Sequence, residues 1–143
     1  MRSRPNFSRA PIIPERVRRI DGQSFSFVHS RFLRDGFLVS LTRNELALYL
    51  VLVLAGDRNG VSYYHYDTLC SILEVPLESY LDARNGLLEK DLVAYDGTRF
   101  QVLSLPARPV HRTVPRLETQ EDLEQRDPAT IRRMILANLA DDE

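Results

Sequence analysis

The sequence has little of what disulfide-rich, metal-binding or membrane proteins require. Its single cysteine, Cys70, cannot form an internal disulfide, which predicts a reducing, cytoplasmic location. The longest apolar run covers only residues 46–55, well short of the ~18 residues that a spanning helix needs. The three histidines are widely separated and make no metal-ligand spacing with the cysteine. We therefore expect no metal, no cofactor and no membrane contact.

Lysine is nearly absent as well, and the positive charge is unevenly spread. Residues 1–34 hold eight arginines against two acids, residues 35–105 hold five basic groups against ten acids, and residues 106–143 hold six arginines against eight acids. The net charge of −1 therefore hides a strongly basic N-terminal segment. The arginine bias reflects either a GC-rich genome or selection for bidentate phosphate contacts, which arginine makes and lysine does not.

The chain divides into four segments. Residues 1–23 lack a hydrophobic period and are interrupted by prolines, which predicts a basic, extended arm. Residues 24–105 predict one folded domain. Residues 106–117 contain three prolines, three arginines and no acid, which predicts a stiff basic linker. Residues 118–143 predict a C-terminal helical segment whose apolar stripe is Ile131, Ile135 and Leu139.

Three helices are predicted within the domain. Thr42 and Glu45 have the spacing of a capping box, in which each side chain accepts the backbone N–H of the other residue, so the first helix begins there and continues through the longest apolar run. Because that helix is apolar on most sides, we expect a central helix that the rest of the fold wraps. A second helix is expected over about residues 65–73, and a third over about residues 76–90 with its proline in the first position.

The third helix has two unlike sides. Its predicted buried side consists of Leu77, Tyr80, Leu81, Arg84, Leu87 and Leu88, and its predicted solvent side consists of Glu78, Ser79, Asp82, Asn85 and Glu89. Gly86 lies inside the helix, where glycine costs about 1 kcal/mol relative to alanine, and either admits another backbone at close range or is tolerated. Two strands over residues 92–95 and 98–103 then flank Asp96-Gly97, a strong signal for a two-residue hairpin turn.

This order of elements is that of a winged helix-turn-helix, an α+β fold with a three-helix core and a two-stranded wing. The domain resembles the winged-helix domain of bacterial replication initiators and, more loosely, multiple-antibiotic-resistance-type repressors. The residues that carry the resemblance are Ser40-Leu41-Thr42, Leu48-Tyr49-Leu50, Gly60-Val61-Ser62, the turn over residues 69–75 and the stretch from Leu87 to Val93. Val75 departs from the pattern, which usually has Ser or Thr there as a helix cap. The resemblance implies a non-enzymatic bacterial protein that binds DNA, in replication initiation or in transcription regulation.

This interpretation assigns contacts with double-stranded DNA to the third helix, the wing and the basic segments. Ser79 and Asn85 are expected at base edges, and Thr98 and Arg99 of the wing at a flanking phosphate. The remaining phosphate contacts are expected from arginines of the arm and the linker, namely Arg16, Arg18, Arg19, Arg108 and Arg112. Such a set of contacts predicts a steep dependence of affinity on salt.

The acidic residues of the third helix support a second interpretation. Glu78, Asp82 and Glu89 on its solvent side oppose the phosphate backbone. They fit a winged helix that works as a protein-interaction module, an adaptor of a replication or mobile-element complex. The C-terminal stripe is expected to pack on its own domain, to form a homodimer or to bind a protein partner.

An enzyme is not expected. Tyr63, Tyr64 and Tyr66 lack the paired histidines or the Arg/His cluster that a tyrosine nucleophile needs, and no other group of side chains has the spacing of a catalytic site. Core packing and one interfacial ring are expected of these tyrosines. We expect no catalytic residue and no small-molecule substrate.

Overall fold

The computed structural model describes residues 8–111, and these residues form an α+β fold, as predicted. This part of the chain has four helices: α1 (Arg31–Arg34), α2 (Arg43–Ala55), α3 (Tyr66–Leu73) and α4 (Leu77–Glu89). It has three strands: β1 (Val61–Ser62), β2 (Val93–Tyr95) and β3 (Phe100–Val102). Short 3-10 turns lie at Pro14–Arg16 and Leu38–Ser40. The first, second and third predicted helices correspond to α2, α3 and α4.

The strands form one small antiparallel sheet in the order β1-β3-β2. β3 is the central strand, in which Gln101 lies opposite Val61 of β1 and Ala94 of β2. β2 and β3 are the predicted hairpin, and their pairing is confirmed. Because β1 lies between α2 and α3 in the chain, its pairing with β3 holds the hairpin beside the helices. This arrangement is compatible with a winged helix.

The predicted capping box at the start of α2 is confirmed. The Glu45 N–H donates to the Thr42 hydroxyl at 3.2 Å, and the Thr42 N–H donates to the Glu45 carboxylate at 2.8 Å. The same carboxylate accepts a hydrogen bond from the Lys90 ammonium at 2.5 Å, and Lys90 also donates to the Ser40 carbonyl at 2.6 Å. One lysine therefore ties the start of α2 to the end of α4.

The core lies between α2, α4 and the sheet. Phe32 of α1 stacks on Tyr49 of α2 with 5.0 Å between ring centroids, and this pair closes one side of the core. The largest fully buried apolar side chains come from every layer of the fold and are Phe37, Leu48, Leu52, Leu69, Tyr80, Leu81, Leu87, Leu92 and Phe100. The helices and the sheet therefore share a single core.

One side of α2 is open to solvent. The rest of the helix is buried or half-buried on most sides, as expected, but Leu50 and Leu54 are 51% and 64% exposed. Ala47 is exposed on the same side. These three residues recur at intervals of three and four and so form a stripe along the helix.

The turn between α3 and α4 depends on one left-handed residue. Glu74 has φ 54° and ψ 46° at the end of α3, and the Val75 N–H donates to the Cys70 carbonyl at 3.2 Å. Pro76 precedes the first turn of α4 and does not occupy its first position, and no side chain caps this helix at its N-terminus. Position 75, where the resemblance places a cap, therefore lies one residue outside the cap.

The first part of the predicted linker packs on the domain. The Arg31 guanidinium donates to the carbonyls of Pro106 at 2.7 Å and Ala107 at 3.2 Å, and Nε2 of His111 lies 2.8 Å from the Glu89 carboxylate at the end of α4. Residues 106–111 thus lie across α1 and the C-terminal end of α4. The rest of the linker and the predicted C-terminal helical segment lie outside the described residues.

Candidate nucleic-acid interface

Only the N-terminal half of α4 presents side chains to solvent. Glu78 and Asp82 are exposed and Ser79 is half-buried. Asn85 and Glu89 are only 1% and 5% exposed, so placing them on the solvent side was wrong, and Asn85 does not reach a base edge in this fold. The surface that α4 can offer to DNA is therefore short and acidic.

The burial of Asn85 and Glu89 follows from what flanks α4. α2 packs along one side of this helix and β2 along another, so its second half has little solvent side left. Oδ1 of Asn85 accepts a hydrogen bond from Nη1 of Arg84 at 3.2 Å, and the Arg84 guanidinium lies over the Tyr95 ring at 4.7 Å. The burial predicted for Arg84 is confirmed. This arginine joins α4 to the wing and is not part of the candidate interface.

The tip of the wing is organised by one carboxylate. Oδ1 of Asp96 accepts the N–H groups of Thr98 at 2.9 Å and Arg99 at 2.7 Å, and Oδ2 accepts Nε of Arg99 at 2.9 Å. The Asp96 N–H donates to the Arg99 carbonyl at 3.2 Å, so the two-residue loop is Gly97-Thr98, one residue later than predicted. Thr98 and Arg99 are exposed, as a wing contact requires, but the charge of Arg99 is matched by Asp96.

The same hydrogen bonds make the tip sensitive to acid. The backbone N–H groups of Thr98 and Arg99, and then the Arg99 side chain, lower the pKa of Asp96 from 3.8 to about 2. A carboxyl whose pKa is lower in the folded state stabilises that state above its unfolded pKa, and the contribution is lost as pH falls towards the folded value. The Asp96 contribution should therefore disappear between about pH 4 and about pH 2.

We expect Asp96→Asn to lower the midpoint of thermal unfolding at pH 6 and to make no difference near pH 2. Asparagine keeps an oxygen that can accept the Thr98 N–H, but it loses the charge that faces Arg99. Circular dichroism melts of both proteins at intervals from pH 6 to pH 2 measure the difference, with Asp21→Asn in the exposed arm as the control. If the difference in unfolding midpoint between Asp96→Asn and the wild type were the same from pH 6 to pH 2, the lowered pKa of Asp96 would not be its cause.

Two exposed tyrosines follow β1, and one of them, Tyr63, adjoins the wing tip. Tyr63 and Tyr64 directly follow β1 and are 67% and 43% exposed. Ser62 of β1 lies opposite Phe100 of β3, which places Tyr63 beside Arg99. The Asp96 carboxylate and, to a smaller extent, the Tyr63 hydroxyl raise the pKa of Arg99. The expectation of core packing with one interfacial ring was therefore wrong for this pair, because both rings face solvent. The pairing of β1 with β3 brings Tyr63 to the wing, and the local sequence carries no signal for it.

The unmatched positive charge of the predicted site lies outside the helices. Arg16, Arg18 and Arg19 are exposed, as are all of residues 8–25. Arg108 is exposed on the segment that packs across α1, and Arg112 lies outside the described residues. The structure thus gathers Thr98, Arg99 and Tyr63 at the wing tip and places the arginines of the arm and linker on flanking segments.

Comparison of the chain with protein-family models, with curated proteins and with solved structures finds no match. Within residues 8–111, no helix combines the length and the apolar character needed to cross a membrane. In the same residues, no three His, Cys, Asp or Glu side chains are grouped so that they could hold a metal ion.

Proposed function

We propose that this protein is a winged-helix protein that binds double-stranded DNA without enzymatic activity. In this proposal α3 and α4 are the helix-turn-helix, and the β2-β3 hairpin is the wing. One observation carries the proposal: β1, between α2 and α3, pairs with β3, which gives the helices and the hairpin the connectivity that a winged helix has. The resemblance to replication initiators supports a role in initiating replication or in regulating transcription.

In the proposed complex the basic segments supply most of the binding strength, because affinity for duplex DNA comes mainly from neutralised phosphates. Arg16, Arg18 and Arg19 would contact the backbone on one flank and Arg108 on another. Ser79, in the first turns of α4, would lie at the groove, and the wing tip would meet a neighbouring phosphate. The two exposed tyrosines after β1 would contact sugar and phosphate.

A second candidate function, a protein-interaction module, is favoured by a specific observation. The exposed part of α4 carries Glu78 and Asp82, and the one arginine at the wing tip is paired with Asp96. A surface of this charge fits a basic protein partner better than it fits a polyanion. Replacing Glu78 and Asp82 by lysine distinguishes the two candidates. The change should strengthen DNA binding if the protein binds DNA, and should abolish binding of a basic partner if the protein is an interaction module.

We expect the double variant Glu78→Lys/Asp82→Lys to bind a random 30-base-pair duplex on the order of 50-fold more tightly than the wild type at 0.1 M salt. Each new lysine–phosphate contact steepens the slope of log affinity against log salt by about 0.9. At 0.1 M salt this corresponds to a nearly tenfold gain in affinity for each contact. Fluorescence anisotropy of a labelled duplex with the full chain measures the change.

Two further variants serve as controls for this experiment. Glu78→Gln/Asp82→Asn removes the acids without adding contacts and should give an intermediate affinity. Asp35→Lys adds charge on α1 and should have a much smaller effect. If neither the wild type nor the double lysine variant binds the duplex at low salt, DNA binding is excluded and the protein-interaction module is the better function.

A further inference from the structure

An open groove lies between α3 and the start of α4, and we call it the α3–α4 groove. It has a volume of about 410 Å³ and is lined by six residues of the two helices and their turn, namely Tyr66, Asp67, Cys70, Ser71, Val75 and Leu77. The four apolar residues among them are each only half-buried. The groove therefore has an apolar base that remains accessible to solvent.

The charge around the α3–α4 groove is negative. Asp67 belongs to its lining, and exposed Glu74 and Glu78 directly adjoin lining residues in the chain. Residues 59–83 contain no Arg or Lys, and His65 already lies 2.5 Å from the Asp67 carboxylate. An apolar base with acidic flanks fits a segment that combines apolar with basic side chains.

The N-terminal arm has this complementary composition. Its residues 9–20 expose two kinds of side chain, the aliphatic Ile12, Ile13, Val17 and Ile20 and the basic Arg9, Arg16, Arg18 and Arg19. Ile12 is 99% exposed and Ile20 is 73% exposed, and Glu15 is the one acid in this stretch. Aliphatic side chains that are this exposed among arginines lose contact with water favourably when the segment docks on an apolar, acidic surface.

The arm of a single chain does not occupy the groove of that chain. All of residues 8–25 are exposed, and the groove is lined by residues of α3, α4 and their turn. A second copy of the protein supplies both an arm and a groove. Two copies that exchange arms therefore fill both grooves and form a closed, symmetric pair.

We propose that residues 9–20 of one copy dock in the α3–α4 groove of a second copy, and that reciprocal exchange of arms forms a dimer. The aliphatic side chains of the arm lie on the apolar base of the groove, and its arginines lie beside Glu74 and Glu78. An arm held in this way cannot offer its arginines to phosphates, so dimerisation opposes DNA binding. The dimer itself does not rest on the proposed DNA binding and is tested without nucleic acid.

A charge exchange between arm and groove tests the proposal. The arm variant is Arg16→Glu/Arg18→Glu/Arg19→Glu, and the groove variant is Glu74→Lys/Glu78→Lys. In sedimentation velocity at low salt, we expect the wild-type full chain to form dimers. Each variant alone should dimerise on the order of 10²-fold more weakly, because its arm and its groove then carry like charges. An equimolar mixture of the two variants should dimerise again, since each arm meets a groove of opposite charge.

The control for added charge is Asp35→Lys/Thr98→Lys, which changes exposed residues of α1 and the wing and should leave dimerisation nearly unchanged. Because every substituted side chain is exposed, circular dichroism melts should show that all variants are folded. A wild type that stays monomeric at every concentration would overturn the proposal. So would a mixture that dimerises no more tightly than either variant alone.

The single cysteine gives a second test that leaves the groove unchanged, because Cys70 is part of its lining. We expect Ile13→Cys to produce, on oxidation of the full chain, a disulfide-linked dimer in which mass spectrometry finds position 13 joined to position 70. Thr98→Cys at the exposed wing tip is the matched control and should link to position 70 far less. A 13–70 link confined to the monomer band would overturn exchange between copies, and the absence of this link would overturn docking in the groove altogether.

Discussion

Replacing Arg16, Arg18 and Arg19 together by glutamine should weaken binding to a random duplex by a factor on the order of 10² to 10³ at 0.1 M salt. Each phosphate contact contributes about 0.9 to the slope of log affinity against log salt, so three contacts contribute about 2.7. The variant should also show a slope that is shallower by this amount. Anisotropy titrations at several salt concentrations measure both quantities.

The matched control is the triple lysine variant, which keeps the charge and should retain most of the affinity. Because all three arginines are exposed, neither variant should shift the midpoint of thermal unfolding appreciably. An unchanged salt slope in the glutamine variant would show that the arm does not contact phosphates. The proposed binding would then depend on Arg108, the wing and residues beyond those described.

The second large effect is expected from Gly86→Ala, which should destabilise the fold by about 2 kcal/mol. Alanine is better than glycine in a helix by about 1 kcal/mol, but a Cβ at position 86 would overlap Oε2 of Glu45 and lie 2.7 Å from its Cδ. That carboxylate is buried and bonded to Lys90 and to the N–H of Thr42. Displacing it breaks an ion pair and half of a capping box, which together cost about 3 kcal/mol.

A double-mutant cycle separates the gain in helix propensity from the cost of displacing the Glu45 carboxylate. In a Glu45→Ala background the overlap is gone, so Gly86→Ala should stabilise the protein by about 1 kcal/mol. Urea unfolding followed by circular dichroism gives the four free energies of unfolding. If Gly86→Ala had the same sign in both backgrounds, the contact with Glu45 would not be the reason for glycine at this position.

The sequence predicted correctly those elements that are determined by interactions between residues close together in the chain. Thr42 and Glu45 bond to each other's backbone within one turn, so their spacing alone was enough. The alternation of the hairpin strands and the glycine between them were likewise sufficient for β2 and β3. The exact loop was missed by one residue, because the Asp96 side chain accepts the N–H groups of Thr98 and Arg99 and so extends the turn to Arg99.

The hydrophobic periodicity of the sequence did not predict the buried sides of α2 and α4 correctly, because packing against the rest of the fold decides which side of a helix is buried. Asn85 and Glu89 lie on the polar side of α4 by sequence, yet both are buried, and His111 of the segment after β3 contacts Glu89. Leu50 and Leu54 lie in the most apolar run of the chain, yet more than half of each residue is exposed. The sequence leaves two explanations for Gly86 open, and the structure shows a third: the missing side chain admits the Glu45 carboxylate of α2 rather than a backbone.

Arg31 has a consequence for how the ends of the domain are arranged. It is the first residue of α1, and its guanidinium donates to the carbonyls of Pro106 and Ala107, a few residues after β3. The start of α1 and the segment that follows β3 are therefore adjacent. Arg108, the next residue after Ala107, therefore lies near the start of α1, and a phosphate that binds Arg108 is close to the point where the basic N-terminal segment joins the folded domain.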